Sequence, residues 1–392
     1  MSERRGPRPL LLHLTLAMLR SSVSHIASQN WRTAWPGSNE AMAAAIRETL
    51  LQDPDADFPG AVLREILHQD AALIEGIAAY RRHPWHRTLA DPPVLWQEGA
   101  SRLLDYGGDG PLILFVPSLI NRAYVLDLAP GHSMLRFLAA HGLHPLLLDW
   151  GWPGAVERRF TLTDYVAGRL ERAITAAGGG VVLAGYCMGG TLAVAAAQRR
   201  PDLVRGLALL AAPWDFHAPD PARARDAAAM LPLLEPALAF NDTLPVDVLQ
   251  SLFLLLDPWG VADKYRHFSR LDPASERATL FVALEDWLND GVPLAAPVAR
   301  QCLSEWYGEN APARGTWRIA GLPVEPGLLA SPTFVAAPRR DRIVPPDSAR
   351  PLADLIAGAV LIEPAAGHIG MAAGAAAERA LWRPLREWVL AI

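Results

Sequence analysis

Cysteine is scarce in this chain: only two cysteines, Cys187 and Cys302, occur among 392 residues. Two widely separated thiols form neither the multi-bridge framework of small secreted domains nor a C-x-x-C metal pair. Their number excludes a disulfide-stabilised fold and favours a reducing compartment. We therefore expect a cytoplasmic protein without a bound metal or cofactor.

A basic excess is also absent. Lys and Arg number 36 against 41 Asp and Glu, which gives a formal net charge of −5. Nucleic-acid-binding domains need a surplus of Lys and Arg to neutralise phosphates, so we expect no nucleic-acid partner. With 51% hydrophobic and 20% charged residues, the chain is too apolar for disorder and can form a large core.

Long uninterrupted apolar runs are missing as well. The N-terminal stretch PLLLHLTLAML follows Arg4, Arg5 and Arg8, contains His13 and is closed by Arg20. A membrane span needs about 18 to 20 apolar residues, and no clean A-x-A cleavage site follows. The stretch therefore predicts a helix at the edge of a core, with a helix on a hydrophobic surface as the alternative.

Strands and helices alternate over much of the chain. Continuous apolar runs such as 110–119 and 144–151 are typical of central parallel strands, and helical patterns separate them. The helix after Thr161 is expected to have Thr163 as its cap. The alternation predicts an α/β fold with a mostly parallel, doubly wound sheet.

Two parts of the chain lack this alternation and have the apolar spacing of helices. In the second part, Cys302 is expected to be a packing thiol. We predict an N-terminal helical extension and a helical cap inserted into the sheet domain. The predicted division is 1–95 for the helical region, 96–214 and 328–392 for the core, and 215–327 for the cap.

The segment 181–200, VVLAGYCMGGTLAVAAAQRR, carries the strongest local motif. An apolar β-branched run ends at Gly185, turns through Cys187 and continues beyond Gly189 as an alanine-rich helix. This is the spacing of a G-x-nucleophile-x-G elbow, in which glycines allow close backbone packing. Unpaired N–H groups at the helix N-terminus favour a thiolate. We predict a reactive Cys187; the alternative is a packing cysteine.

An acid and a base follow the thiol in the required order. Asp341 ends a predicted strand, and His368 lies in the loop after the next one. Of the histidines after Cys187, which also include His217 and His267, only His368 follows the acid. A lone Asp is usually a turn former and a lone loop His is usually solvated. Together, in the order nucleophile, acid, base, they predict the catalytic triad of an α/β-hydrolase.

Several further motifs are similar to those of one family: NRAYVLDLAPGHS (121–133), LDWGWP (148–153), AGYCMGG (184–190), FLLLDPWGVADKY (253–265), RRDRIVPPDSA (339–349) and GHIG (367–370). Over about residues 95 to 390 the chain resembles the catalytic subunit of a polyhydroxyalkanoate synthase, of the shorter two-subunit (class III) kind. By position, the family's nucleophile, acid and base fall on Cys187, Asp341 and His368. The elbow interior differs from the family, with Tyr186 and Met188 beside the thiol.

The resemblance implies a polyester synthase that polymerises (R)-3-hydroxyacyl-CoA into a poly(3-hydroxyalkanoate) and releases CoA through a covalent Cys187 thioester. The CoA thioester is the substrate, and no cofactor is implied. Exchange of one thioester for another keeps the acyl group activated for attack by a hydroxyl. His368 would act as the base, oriented by Asp341. The N–H groups of Met188 and of the loop at Ile120 and Asn121 would hold the oxyanion.

Two other functions stay open. An intracellular thioesterase or polyhydroxyalkanoate depolymerase would use the same triad but admit water to the acyl-enzyme. A granule-associated or regulatory protein without turnover would be expected to lack a triad residue. Aromatic residues of the cap favour water exclusion by lining an acyl tunnel, although packing is their commoner role; they are Trp259, Trp287, Trp306, Tyr307 and Trp317.

The expected partners follow from the same reading. They are (R)-3-hydroxyacyl-CoA, the growing polyester chain or granule surface, and a separate second synthase subunit. A cap that opens to admit substrate exposes apolar surface, which predicts a homodimer formed through the cap. The cytoplasmic protein would then be associated with polymer granules.

Overall fold

The computed structural model describes residues 4–31, 40–53, 56–218 and 220–392. The helices are α1 (Leu10–Gln29), α2 (Glu40–Gln52), α3 (Phe58–Arg82), α4 (Met134–Ala140), α5 (Glu171–Ala176), α6 (Met188–Arg199), α7 (Pro221–Ala229), α8 (Leu231–Asn241), α9 (Val246–Leu254), α10 (Gly260–Phe268), α11 (Glu276–Asn289), α12 (Ala296–Gln301), α13 (Pro346–Ala349), α14 (Pro351–Leu355), α15 (His368–Ala373) and α16 (Arg383–Ala391).

The strands are β1 (Val94–Glu98), β2 (Ser101–Asp105), β3 (Leu112–Val116), β4 (Asp127–Ala129), β5 (His132–Ser133), β6 (His144–Asp149), β7 (Val181–Tyr186), β8 (Val204–Leu210), β9 (Thr243–Leu244), β10 (Leu294–Ala295), β11 (Arg318–Ile319), β12 (Leu322–Pro323), β13 (Thr333–Ala336) and β14 (Val360–Ile362). Short 3₁₀ or π segments occur at Ala123–Leu126, Glu157–Arg159, Asp164–Leu170, Cys302–Gly308, Pro326–Leu328 and Glu378–Trp382.

An eight-stranded sheet lies in the larger of two compact units, residues 86–256 and 286–392. The strand order is β1-β2-β6-β3-β7-β8-β13-β14. Strand β2 is antiparallel to β1 and β6, whereas the other neighbouring pairs are parallel. All six residues of β7 are buried, as a continuous apolar run in a central parallel strand requires. The predicted mostly parallel, doubly wound sheet is confirmed.

Two local expectations need correction. The hairpin β1–β2 turns at Gly99, which has φ +56°. Its strands, largely exposed in β1 and mostly buried in β2, precede the point where the α/β pattern was expected to begin. Thr163 makes no capping hydrogen bond. Instead, Thr161 accepts a bond from the Asp164 N–H at 3.3 Å, and Asp164 accepts one from the Thr161 N–H at 2.8 Å. This reciprocal pairing starts the helix two residues earlier.

The smaller unit consists of 257–285 and the described residues of 1–85, and it is helical. Its core holds Leu73 and Tyr80 of α3 with Tyr265 and Phe268 of α10. Gly76 allows these two helices to approach closely, because a Cβ there would lie 2.0 Å from the carbonyl oxygen of Tyr265. The domain boundaries expected from the sequence are not tested by this division and stay a prediction.

Helix α1 is long and apolar enough, by length and composition, to cross a membrane. The sequence analysis did not predict this, because it counted uninterrupted apolar residues. The mean hydropathy of the helix stays high despite the single charge of Arg20. Only 11% of its most apolar window is buried, and Leu11 is 79% exposed. Core helices and signal sequences meet the same criterion, so the cytoplasmic location of the chain stays a prediction.

Candidate active site

Cys187 occupies the turn between β7 and α6. Its backbone has φ +57° and ψ −132°, a conformation that non-glycine residues rarely adopt and that recurs at functional sites. Two bonds hold the turn: the Cys187 N–H donates to the Leu210 carbonyl at 2.9 Å, and the Gly190 N–H donates to the Cys187 carbonyl at 2.8 Å. The thiol is partly exposed. The structure therefore presents Cys187 on the tight elbow that the motif predicts.

The glycines around the thiol are required by backbone contacts. A Cβ at Gly189 would lie 2.0 Å from the carbonyl oxygen of Val116 in β3, and one at Gly185 would lie 2.3 Å from the Cα of Gly190. These neighbours are main-chain atoms, which cannot rotate away as a flexible side chain can. The elbow is consequently packed backbone to backbone against β3 and α6.

Asp341 and His368 form a buried pair. Nδ1 of His368 lies 2.6 Å from Oδ2 of Asp341, and both residues are at most 7% exposed. The other carboxylate oxygen accepts hydrogen bonds from the N–H groups of Ile343 at 2.8 Å and Val344 at 2.9 Å. An ionised carboxylate can only accept, so Nδ1 carries the proton and Nε2 is left for another partner. Asp341 thereby fixes the orientation of the imidazole.

The other group that acts on the His368 imidazole is Cys187. Burial by itself lowers the pKa of His368, but interactions with Cys187 and with Asp341 raise it to about 10. At neutral pH the imidazole of His368 is therefore protonated. The three residues singled out in the sequence are thus brought together, and their catalytic roles stay a prediction.

Tyr186 adds a contact that the sequence reading missed. Its ring lies 5.1 Å from the His368 ring at an interplanar angle of 30°, and its hydroxyl donates to the His368 carbonyl oxygen at 3.2 Å. Burial, followed by the charges of Cys187 and Asp341, raises the pKa of Tyr186 well above its ordinary value. The residue before the nucleophile therefore holds the base. Tyr186 stands out in the sequence as a residue beside the thiol, but no sequence pattern predicts its contact with His368.

The three residues expected at the oxyanion differ in their surroundings. Met188 opens α6, so its N–H has no partner within the helix. The N–H of Ile120 donates to Ser118 Oγ at 3.3 Å and is occupied in this conformation. Asn121 pairs with Gly291 in an antiparallel bridge. The oxyanion roles of Met188, Ile120 and Asn121 stay predictions.

The cap aromatics do not form one group. Trp306, Tyr307 and Trp317 belong to a cluster with Phe216 and Trp214, with ring centroids 5.2 to 6.2 Å apart. Tyr307 is 37% exposed, and its ring lies edge-on to Phe216. Trp259 and Trp287 are outside this cluster: Trp259 is 40% exposed, and Trp287 donates to the Arg122 carbonyl oxygen at 2.7 Å.

Cys302 begins a π-helical segment and packs against the main hydrophobic core. Burial, with a smaller contribution from Glu305, raises the pKa of its thiol. A neutral, packed thiol is a poor nucleophile. Among the described residues, no group of three or more His, Cys, Asp or Glu side chains could hold a metal ion; the expected absence of a cofactor stays a prediction.

Comparison with known proteins supports the family reading. The family model for the alpha/beta hydrolase fold matches residues 111–374. The poly(3-hydroxyalkanoate) polymerase subunit PhaC of Haloferax mediterranei is 30% identical over 75% of this chain and 63% of its own length. Its counterpart in Allochromatium vinosum is 28% identical over 71% of this chain and 80% of its own length.

Among solved structures, a monoacylglycerol lipase from Paleococcus ferrophilus has a TM-score of 0.48 at 15% identity, over 74% of this chain and 98% of that chain. The resemblance to polyhydroxyalkanoate synthases rests on the curated sequence relatives. The predicted class of enzyme, an acyltransferase on this fold, agrees with the polymerase names of these relatives and stays a proposal for this chain. The chain belongs to the α/β-hydrolase family, and its sequence is similar to those of poly(3-hydroxyalkanoate) polymerase subunits.

Proposed function

We propose that this protein is a polyester synthase that polymerises (R)-3-hydroxyacyl-CoA into poly(3-hydroxyalkanoate) and releases CoA. The observation that carries the proposal is the Cys187 thiol on a strained elbow, whose charge acts on a His368 that Asp341 orients. The names of the relatives supply the acyl group and the product. The thiol supplies the reason for a transferase, because a thioester is a better acyl donor than the oxygen ester that serine would form.

The first half-reaction loads the enzyme. Cys187 Sγ attacks the thioester carbonyl carbon of the substrate, and the Met188 N–H at the start of α6 is proposed to stabilise the oxyanion. The tetrahedral intermediate collapses with cleavage of the bond to the CoA sulfur. The His368 imidazolium gives its Nε2 proton to the departing CoA thiolate, which leaves a neutral imidazole and an acyl group on Cys187.

The second half-reaction extends the chain. The 3-hydroxyl of another acyl group attacks the Cys187 thioester, and neutral His368 accepts the hydroxyl proton. An ester bond forms, the bond to Cys187 Sγ breaks, and the thiolate and imidazolium are restored. Asp341 stays ionised and stabilises the imidazolium at both stages.

The fate of the acyl-enzyme separates a synthase from a hydrolase on the same fold. Cys187 and Phe216 pack against the same hydrophobic core, and the ring of Phe216 lies 5.2 Å from that of Trp306. Apolar surroundings favour a hydroxyl carried on an acyl chain over water as the attacking group. We extend the proposal to the partners: the growing polyester chain, a second synthase subunit, and a homodimer in the cytoplasm at polymer granules.

The test is to incubate the purified protein with (R)-3-hydroxybutyryl-CoA and measure free CoA, free acid and insoluble polymer. A synthase releases CoA in step with polymer and forms little free acid. Release of CoA with an equal amount of free acid would identify a thioesterase. Loss of preformed poly(3-hydroxybutyrate) added without acyl-CoA would identify a depolymerase.

A further inference from the structure

The loop of residues 117–122 follows β3 and lies against the elbow. A Cβ at Gly189, two residues after the thiol, would lie 2.0 Å from the carbonyl oxygen of Val116 and 2.6 Å from that of Pro117. The motif NRAYVLDLAPGHS begins inside this loop, and the motif LDWGWP contains a tryptophan that contacts it. Neither motif contributes a residue to the triad. A shift of this loop would move backbone atoms that contact the elbow.

Trp150 holds the first residue of the loop. It follows β6, is 6% exposed, and donates from Nε1 to the Pro117 carbonyl oxygen at 2.9 Å. Its ring packs edge-on against Tyr165, with ring centroids 5.4 Å apart, and its own carbonyl oxygen accepts a hydrogen bond from Ser101 Oγ at 3.2 Å. Because these neighbours fix the indole, its hydrogen bond sets the direction of the Pro117 carbonyl group.

Trp287 holds the last residue of the loop in the same way. It lies near the end of α11, is 2% exposed, and donates from Nε1 to the Arg122 carbonyl oxygen at 2.7 Å. Between the two ends, the Ile120 carbonyl oxygen accepts a hydrogen bond from the Val292 N–H at 3.1 Å. Three carbonyl groups of the loop are therefore bonded to donors outside it, and two of these donors are buried indoles.

The direction of these carbonyl groups decides where the N–H groups of the loop point. In a trans peptide unit, the C=O and the following N–H point in opposite directions. The Ser118 N–H is therefore turned away from Trp150, and the Asn121 N–H is turned away from Val292. Among the hydrogen bonds that the described residues make with one another, neither of these two N–H groups is a donor. Unpaired peptide N–H groups in or beside a core are rare, and they are available to an acceptor on a ligand.

We propose that Trp150 and Trp287 are positioning residues, whose indole N–H groups hold the two ends of the 117–122 loop in place for the reaction at Cys187. The inference rests on the proposed function. With its carbonyl groups held, the loop keeps its N–H groups directed at the negative charge that develops on the carbonyl oxygen of the attacked thioester. Donors fixed in advance stabilise such a charge well, because they need no reorientation during the reaction. Each tryptophan acts through the loop and not on the substrate.

The test compares a reaction that needs the loop with one that does not. Acylation of Cys187 by (R)-3-hydroxybutyryl-CoA places negative charge on a carbonyl oxygen, whereas alkylation of the same thiol by iodoacetamide is a displacement at a CH₂ group. Trp150→Phe keeps an aromatic ring and removes the N–H donor. Its acylation rate constant, measured by acid quench and mass spectrometry, should fall about tenfold, with the half-saturating substrate concentration changed by less than about twofold. Its alkylation rate should change by less than about twofold.

Trp287→Phe tests the other end of the loop and should give the same pattern. Trp388→Phe is the matched control, because it makes the same change in a ring that packs against Phe334 from the C-terminal helix α16. The control should leave both rates unchanged. Circular dichroism establishes that each variant is folded. Loss of the fold in both loop variants would overturn the proposal, since the role assigned to the two indoles is positioning.

Unchanged acylation in the two folded loop variants would also overturn the proposal. So would an equal fall in acylation and alkylation, because that result indicates a general disturbance of the elbow. Failure of the proposed function has a different signature. A wild-type protein that is acylated at Cys187 but releases only free acid would refute the synthase and leave the tryptophan assignment standing. A wild-type protein that is never acylated would refute both.

Discussion

The two cysteines of this chain are in regions that differ in backbone more than in composition. Cys187 follows a buried strand and takes φ +57°, which projects its thiol beside His368. Cys302 follows α12 with helical dihedral angles (φ −60°, ψ −48°), begins a π-helical segment and packs against the core. Both neighbourhoods are apolar and aromatic. Placement on the elbow, and not the residue type, therefore makes one thiol a candidate nucleophile and the other a packing group.

The packing around Cys187 also differs from the packing around Cys302. Around Cys187, glycines bring main chain against main chain, so that even one added carbon collides. Around Cys302, side chains such as Leu303 and Trp306 fill the space. A backbone-packed site holds its geometry rigidly, whereas a side-chain-packed site can relax after substitution. The elbow should accordingly be the less tolerant region.

The largest expected effect is on activity. Cys187→Ala should reduce CoA release from (R)-3-hydroxybutyryl-CoA by at least about a thousandfold, because the group that carries the acyl chain is lost. Cys302→Ala, the matched loss of a thiol, should retain activity within a few-fold. An equal loss of CoA release in the two variants would contradict the different roles assigned to the two thiols.

The next effect is on stability. Gly189→Ala places a Cβ 2.0 Å from the Val116 carbonyl oxygen and should lower the free energy of unfolding by about 3 kcal/mol. Gly168→Ala is the control, because its Cβ would meet only the flexible Arg172 guanidinium at 3.6 Å. That variant should be about 0.5 to 1 kcal/mol more stable than wild type. Urea unfolding measures both, and a neutral Gly189→Ala would contradict backbone packing at the elbow.

The ionisation of His368 sharpens the comparison. Its pKa of about 10 depends on negative charge at Cys187, so NMR titration of the imidazole should show a lower pKa in Cys187→Ala and no change in Cys302→Ala. A raised histidine pKa stabilises the protonated folded state. Relative to His368→Gln, this contribution should be full below about pH 6.5 and lost as the pH rises through about 10. A contribution that grows with pH would have the wrong sign.

The smallest effect concerns Tyr186. Tyr186→Phe keeps the ring against His368 but removes the hydroxyl bond to its carbonyl oxygen at 3.2 Å. One such bond contributes about 1 kcal/mol, so kcat should fall about three- to tenfold with little change in KM. Tyr307→Phe removes a phenolic hydroxyl from the segment that Cys302 begins, and it serves as the control. A pure stability loss with normal kcat would show that Tyr186 does not position the base.

Much of the candidate active site was predictable because it depends on strong local sequence patterns. The elbow is contiguous in sequence, and the order of Asp341 and His368 along the chain identified the other two groups. The contacts of Tyr186 and Asn121 were not predictable, since each depends on segments that meet only in the fold: the start of α15 and the residues near Gly291. The β1–β2 hairpin was missed because its two five-residue strands lack a continuous apolar run.

The separation of the cap aromatics into different groups was also not predictable from the sequence. Spacing places Trp259 and Trp306 in one predicted cap, yet Trp259 contacts Arg20 in the smaller unit while Trp306 packs with Phe216 in the larger. Helical periodicity shows that a residue is apolar and on a face, but it does not show which neighbour that face meets.

The central claim is that Cys187, and not Cys302, carries the acyl group. The most direct measurement is mass spectrometry of the protein quenched in acid after brief mixing with (R)-3-hydroxybutyryl-CoA, followed by digestion. We predict an adduct with the mass of one or more 3-hydroxybutyryl units on the peptide that contains Cys187, unchanged in Cys302→Ala and absent from Cys187→Ala. An adduct on Cys302, or CoA release by the Cys187→Ala protein without any adduct, would contradict the account.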